Sequence, residues 1–214
     1  MMVYVGDTRA KALLARIKSE GFGQMHTRGT LCRPRTERWA YDNGAFADWR
    51  RGRPFEAEAW LRDLDRIQVR GWRPDWCVLP DIVAGGTKSL DLSIAWAQRI
   101  SRPDWYLAAQ NGMTPSMIPD IPGVIGWFVA GDLAWKLATG AMWVRAAHVR
   151  GVRCHIARVG VPRRVVWARS IGADSIDSSF PLWCAARFDE FVSATKTGLL
   201  FAPPPGEAGK RGAR

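Results

Sequence analysis

Eight short runs of β-branched and aromatic residues recur along the chain, and between most of them lie longer segments whose apolar residues follow helical spacing. The runs cover residues 2–5, 22–26, 39–42, 76–79, 105–110, 124–129, 154–159 and 175–177, and the helical segments cover 8–19, 55–69, 89–100, 133–150, 162–171 and 183–194. This alternation is the strongest constraint on the fold. A helix between two strands returns the chain to run parallel, and right-handed βαβ units repeated eight times close on themselves. The expected class is therefore α/β: a minimal (β/α)8 TIM barrel, one domain over residues 1–201. At 214 residues the chain stands near the lower limit of roughly 200 for such barrels. The connection 110–123 carries Pro115, Pro119 and Pro122, too many breaks for a full helix. An open doubly wound sheet is the alternative, but no GxGxxG follows the first strand, and Gly6-Asp7-Thr8 reads as a strand-to-helix turn. Residues 202–214, with PPPG and GKRGAR, have nothing to bury and read as a disordered basic tail.

Composition narrows the function classes. An apolar share of 47% supports a real core and excludes bulk disorder. No run approaches the ~18 apolar residues of a membrane span, and MMVYVGDTRA lacks the pattern of a signal peptide. A cytoplasmic protein with no membrane partner is expected. Cys32, Cys77, Cys154 and Cys184 lie far apart without a CxxC pair, so they read as reduced thiols and no metal is expected. The 31 Lys and Arg against 20 Asp and Glu leave a charge of +11, which favours an anionic partner. The same surplus also follows from a GC-rich genome's use of Arg, Gly, Ala and Trp.

In a barrel, chemistry sits where strands end. The third run ends Tyr41-Asp42-Asn43-Gly44-Ala45-Phe46, the fourth Leu79-Pro80-Asp81, the fifth Ala109-Gln110-Asn111-Gly112, the sixth Val129-Ala130-Gly131-Asp132 and the eighth Ser175-Ile176-Asp177-Ser178. Each has a purely structural alternative: Asp42-Asn43-Gly44 is a good tight turn, and Asp81, Asp132 or Asp177 each suits a helix N-cap. Their joint placement at equivalent strand ends is what capping does not require. Gly85-Gly86-Thr87-Lys88-Ser89 lacks the glycine spacing of a phosphate loop, and His148 and His155 read as a helix-surface and a core histidine rather than a metal pair.

Taken in order, these strand ends resemble the tRNA-guanine transglycosylase superfamily, and most closely its short phage and bacterial members that place 7-deazaguanine bases in DNA. Asp42-Asn43-Gly44-Ala45-Phe46 is similar to the family's Asp-Ser-Gly-Gly-Phe element, and Asp81 to its base-recognising aspartate. Gln110-Asn111-Gly112 is similar to its glutamine-glycine element, and Ala130-Gly131-Asp132-Leu133-Ala134 to its Gly-Gly-Leu-Ala loop. Ala157-Arg158-Val159-Gly160-Val161-Pro162 resembles its Met-Gly-Val-Gly-x-Pro turn, and Gly172-Ala173-Asp174-Ser175-Ile176-Asp177 its Gly-Val-Asp-x-Phe-Asp strand. The family's CxCxxC zinc element has no counterpart after Asp177.

The resemblance implies an enzyme that exchanges guanine in DNA for a free 7-deazaguanine such as preQ0, the 7-cyano form, without a cofactor. It makes Asp177 the nucleophile at C1′ and Asp42 the proton-transfer residue. Asp81, Gln110, Gly131, Asp132 and Phe46 become the base pocket. Arg35 with Arg33 and Arg38, Arg50 and Arg51 with Arg53, and Arg158 with Arg163 and Arg164 would then form a nucleic-acid track beside one rim, with Trp49 a loop residue able to stack on a base. A phage or bacterial cytoplasm and a possible homodimer belong to the same reading. An RNA substrate, a non-catalytic nucleic-acid-binding barrel and a barrel enzyme acting on a phosphorylated metabolite are the alternatives.

Overall fold

The computed structural model describes residues 1–102 and 104–196, so the expected tail at 202–214 lies outside the described residues. Eight parallel strands, β1 Met2–Gly6, β2 Gly23–Thr27, β3 Trp39–Asp42, β4 Cys77–Val78, β5 Trp105–Ala109, β6 Val124–Val129, β7 Arg153–Ile156 and β8 Ser175–Ser178, pair in chain order, and β8 returns to β1 to close the barrel. Around it run α1 Lys11–Ser19, α2 Ala45–Arg50, α3 Ala57–Val69, α4 Thr87–Arg99, α5 Leu133–Val149, α6 Pro162–Ser170 and α7 Ala185–Lys196. The expected (β/α)8 barrel is the observed fold. As its prolines require, the 110–123 connection holds only a 3-10 turn, Pro115–Met117.

Three local expectations need correction. Trp49 lies on the six-residue helix α2 rather than in a loop. That helix is too short for its periodicity to show in sequence. β4 spans two residues instead of four. β7 stops at Ile156 rather than reaching Val159, because Arg158 takes a left-handed backbone with φ 51° that no strand accommodates.

Side chains alternate across the barrel wall with period two. Trp105, Leu107 and Ala109 face the helices, whereas Tyr106 and Ala108 face the axis; Trp127 and Val129 against Phe128 and Ala130 repeat the pattern. Large aromatics fill the interior. Trp76 stacks on Tyr106 at 4.5 Å and meets Tyr4 edge-on at 5.3 Å. Gly126 is required here, since a Cβ would come within 2.3 Å of the Tyr106 ring. Trp60, Trp76, Trp105, Trp127 and Trp143 are all fully buried, so packing accounts for much of the tryptophan content. At the N-terminal mouth, Asp75 accepts from Tyr4 Oη and Arg38 Nε, both at 2.7 Å. Among the described residues, no helix is long and apolar enough to cross a membrane.

Two features break the pattern. The β2–β3 connection, residues 28–38, contains no helix. On the outward face of β2, opposite the inward Met25, stand the fully buried polar residues Gln24 and His26.

Candidate active site

Asp42 ends β3 and Asp177 lies in β8, both in phase with the inward-facing side chains at the C-terminal mouth. They line one cavity of about 320 Å³, together with Asp7, Thr27, Arg158 and Ser178. The loop geometry around Asp177 explains its electrostatics. The φ 51° of Arg158 turns its backbone N–H toward Asp177 Oδ1 at 2.8 Å, and His155 Nε2 meets the same oxygen at 2.9 Å. Burial works against ionisation of Asp177, but these donors outweigh it and hold the carboxyl below its ordinary range. His155 is fully buried, its ring stacked on Phe128 at 4.9 Å, and burial holds it below the usual imidazole range. Because the ionised Asp177 can only accept, Nε2–H donates to it, and Nδ1 shares a 2.9 Å hydrogen bond with Ser175 Oγ.

Asp42 is tuned in the opposite direction. Its Oδ1 accepts from the Gly44 N–H at 2.8 Å, in a turn where Gly44 needs φ 81°. Burial pushes the carboxyl up to about 6; Asp81 and Asp177 add to the shift, while the Gly44 N–H and Arg158 oppose it. One cavity thus carries an ionised carboxylate and a proton-exchanging one, the division of labour expected when two acids share a reaction. A stability consequence follows from the sign of the shift. Below pH 3.8 folded and unfolded chains both keep the Asp42 proton, and as pH rises through about 6 the unfolded chain gains from ionisation before the folded one does. Wild type therefore loses stability relative to Asp42→Asn between about pH 4 and 7, by no more than about 3 kcal/mol. Chemical denaturation of both proteins at pH 4 and pH 7.5 measures the difference, and an unchanged gap would contradict the raised value.

Asp81 and Gln110 are brought together, but with each other. Asp81, 7% exposed, accepts from Gln110 Nε2 at 2.6 Å and from Asn43 Nδ2 at 2.8 Å. Burial raises its pKa against these two bonds. Gln110 Oε1 accepts from the Ala84 N–H at 3.3 Å. Neither residue lines the 320 Å³ cavity. Asp132 is exposed and caps α5, accepting from the Trp135 N–H at 2.9 Å while its own N–H donates to Asn111 Oδ1 at 2.9 Å. Gly131 is held beneath Trp135, whose ring would lie 2.3 Å from an added Cβ. Phe46 lies under the Arg158 guanidinium at 3.9 Å and stacks with the half-exposed Trp49 at 5.7 Å.

The arginines divide. Arg50, Arg51 and Arg163 are exposed and Arg164 partly so, whereas Arg158 donates to the Ala130 carbonyl beside the cavity. Arg35 Nη1 sits 3.8 Å from Asp7 Oδ1 and 3.4 Å from Cys32 Sγ. Arg33 and Arg38 leave the C-terminal rim, because the helix-free β2–β3 segment runs toward the opposite end. Arg38 pairs with Asp75 there, and Arg33 joins Arg66, Arg70 and Arg73 around a separate basic cleft of about 740 Å³. That cleft is larger than the carboxylate cavity but shares no lining residue with it.

Sequence reasoning missed two polar side chains at the site. His155 was legible as a core histidine, but its bond to Asp177 depends on the β7–β8 register, which pairs His155 with Ser175. Lys136, the one charged residue between 133 and 144, is buried and donates from Nζ to the Ala157 carbonyl at 2.5 Å. Burial, with Arg158 nearby, lowers its pKa to about 8. A lone lysine in an apolar helical run is the signal that would have found it.

Fold and rim together define a (β/α)8 barrel with paired carboxylates at its C-terminal mouth. One solved barrel shares the architecture, and two weaker likenesses accompany it. A monomeric dihydrodipicolinate synthase variant matches with a TM-score of 0.55 at 11% identity, over 91% of this chain and 77% of that one. A 3-hexulose-6-phosphate synthase from Salmonella typhimurium matches with a TM-score of 0.47 at 9% identity, over 95% and 100%. RipC from Yersinia pestis gives 0.44 at 13%, over 89% and 94%. No protein-family model and no curated protein matches the chain. At 11% identity the first of these likenesses shows the fold alone.

Proposed function

We propose that this chain is a base-exchange enzyme that replaces guanine in DNA with a 7-deazaguanine. The observation that carries the reading is the pair Asp42 and Asp177 on one cavity, the first pushed up to about 6 and the second held below its ordinary range. Asp177 attacks C1′ of the guanosine unit; the C1′–N9 bond breaks, its electron pair leaves on guanine, and a glycosyl ester forms. N9 of the deazaguanine then attacks C1′ and frees Asp177. The departing base gains one proton and the incoming base loses one, so a single carboxyl that exchanges a proton near neutrality, Asp42, serves both halves. His155 and the Arg158 N–H keep Asp177 ionised and aimed.

Asp81 and Gln110 carry the donors and acceptors that suit the Watson–Crick edge of guanine. In the free protein they satisfy one another, so base binding exchanges the Asp81–Gln110 bond for bonds to the base. The Phe46–Trp49 stack and exposed Arg50, Arg51 and Arg163 supply a surface for a flipped strand. Incubation with guanine-containing DNA and labelled 7-deazaguanine tests the reading: labelled DNA is expected, with little label in tRNA. Equal labelling of tRNA shifts the substrate to RNA, and no labelling of either sinks the proposal.

A further inference from the structure

We infer that Asp7, His26 and Cys32 form a zinc site at the C-terminal rim, on the outer side of β2. The inference does not depend on the proposed reaction, and it departs from the expectation of a metal-free chain.

The starting point is His26. Its ring is completely buried, and although the Thr30 backbone lies against it, neither Nδ1 nor Nε2 makes a well-formed hydrogen bond among the described residues. An unmet buried polar atom costs about 1–3 kcal/mol, which a metal on one ring nitrogen would offset for that atom. The position sharpens the point. The outward faces of β1, β5 and β6 present Val, Trp, Leu and Ala to the helices, whereas β2 presents Gln24 and His26 beneath the helix-free 28–38 segment.

Two further donors converge there. His26 Nδ1 lies 3.7 Å from Asp7 Oδ1, and Cys32 Sγ lies 4.0 Å from Asp7 Oδ2. One ligand atom from each of the three residues falls within 4.8 Å of the others. Ligands bound tetrahedrally at about 2.0–2.3 Å lie about 3.3–3.8 Å apart, so closure needs side-chain adjustments of a few tenths of an ångström to about 1 Å. A thiolate, an imidazole and a carboxylate favour Zn²⁺ over the oxygen-seeking Mg²⁺ or Ca²⁺. Gln24 Nε2 approaches Asp7 Oδ1 at 3.4 Å, as an outer partner that orients a ligating carboxylate. Arg35, one-third exposed, now holds its guanidinium against the same thiol and carboxylate. It is the cation that zinc replaces, and it is free to turn outward.

Three protein ligands leave one position open. Asp7 also lines the carboxylate cavity, so the fourth ligand is a water or a group entering from that side. The ion would also tie the 28–38 segment to β1 and β2, which no helix does. Pattern reading missed it because the ligands come from three separate elements without a paired motif.

Titration of the full chain with Zn²⁺ against a chromophoric chelator, and with Co²⁺ as a spectroscopic probe, tests the site. One equivalent of Zn²⁺ per chain is expected, with a thiolate-to-cobalt charge-transfer band and a zinc-dependent rise in unfolding temperature. Cys32→Ser should abolish the band and the thermal rise, and weaken zinc by more than the roughly 10- to 100-fold typical of losing an outer partner. Arg35→Gln should tighten binding, and Cys184→Ser should change nothing. Cys32 is only partly buried, so its serine variant is expected to fold even where His26→Gln does not. Zinc bound equally well by Cys32→Ser, a band lost in Cys184→Ser, or no band in wild type overturns the assignment.

Discussion

If the proposed base exchange holds, Asp177→Asn is expected to lower it at least about 10⁴-fold while leaving the barrel folded, a loss typical of removing a covalent nucleophile. The amide keeps an oxygen in the Oδ1 position, so His155 Nε2–H and the Arg158 N–H, 2.9 and 2.8 Å away, retain their acceptor. What disappears is the charge and the ability to form and release a glycosyl ester. Label incorporation into DNA, measured beside the unfolding temperature, separates the two effects. Wild type should also yield a protein–DNA adduct on denaturing gels that the variant does not form. Activity within tenfold of wild type would remove Asp177 from the nucleophile's role. Asp177→Ala is the less informative change, since it strips the fully buried His155 of its acceptor at about 1–3 kcal/mol.

Trp76→Ala should cost about 3–5 kcal/mol, the range for emptying a large aromatic site in a core. That is a sizeable part of the ~5–15 kcal/mol that holds a domain folded. Trp76 is 1% exposed, stacked on Tyr106 and in edge contact with Tyr4, and its ring also lies 4.9 Å from His155. The cavity left behind therefore opens directly beneath the hydrogen bond that aims Asp177. Urea unfolding gives the stability loss, and a drop in exchange rate larger than that of a remote core variant such as Trp143→Ala would report the loosened histidine. A cost under about 1 kcal/mol would mean that the interior collapses around the gap.

The position of each strand was legible because period-two and period-3.6 patterns are written within single elements. Trp105 to Gln110 reads as a strand from its own residues, whatever it later pairs with. The strand-end carboxylates were legible for the same reason, and Asp42 and Asp177 do meet on one cavity. The short helix α2 and the left-handed Arg158 were not, since six residues carry too little periodicity and a single dihedral leaves no trace in composition. The arginines near position 35 were read as one cluster; the path of the helix-free 28–38 segment sends Arg38 to Asp75 and Arg35 to Asp7 and Cys32.

By itself, then, the sequence determined the closed parallel barrel and the strand-end carboxylates Asp42 and Asp177 at its C-terminal mouth, because local patterning specifies both. Only the tertiary structure decided which carboxyl is held ionised, which has its pKa raised to about 6, and which buried histidine is left without a well-formed hydrogen bond. Those properties depend on burial and on neighbours far along the chain. His155 and Asp177 are 22 positions apart, and Asp7 and Cys32 are 25 apart. Barrel closure brings each pair together.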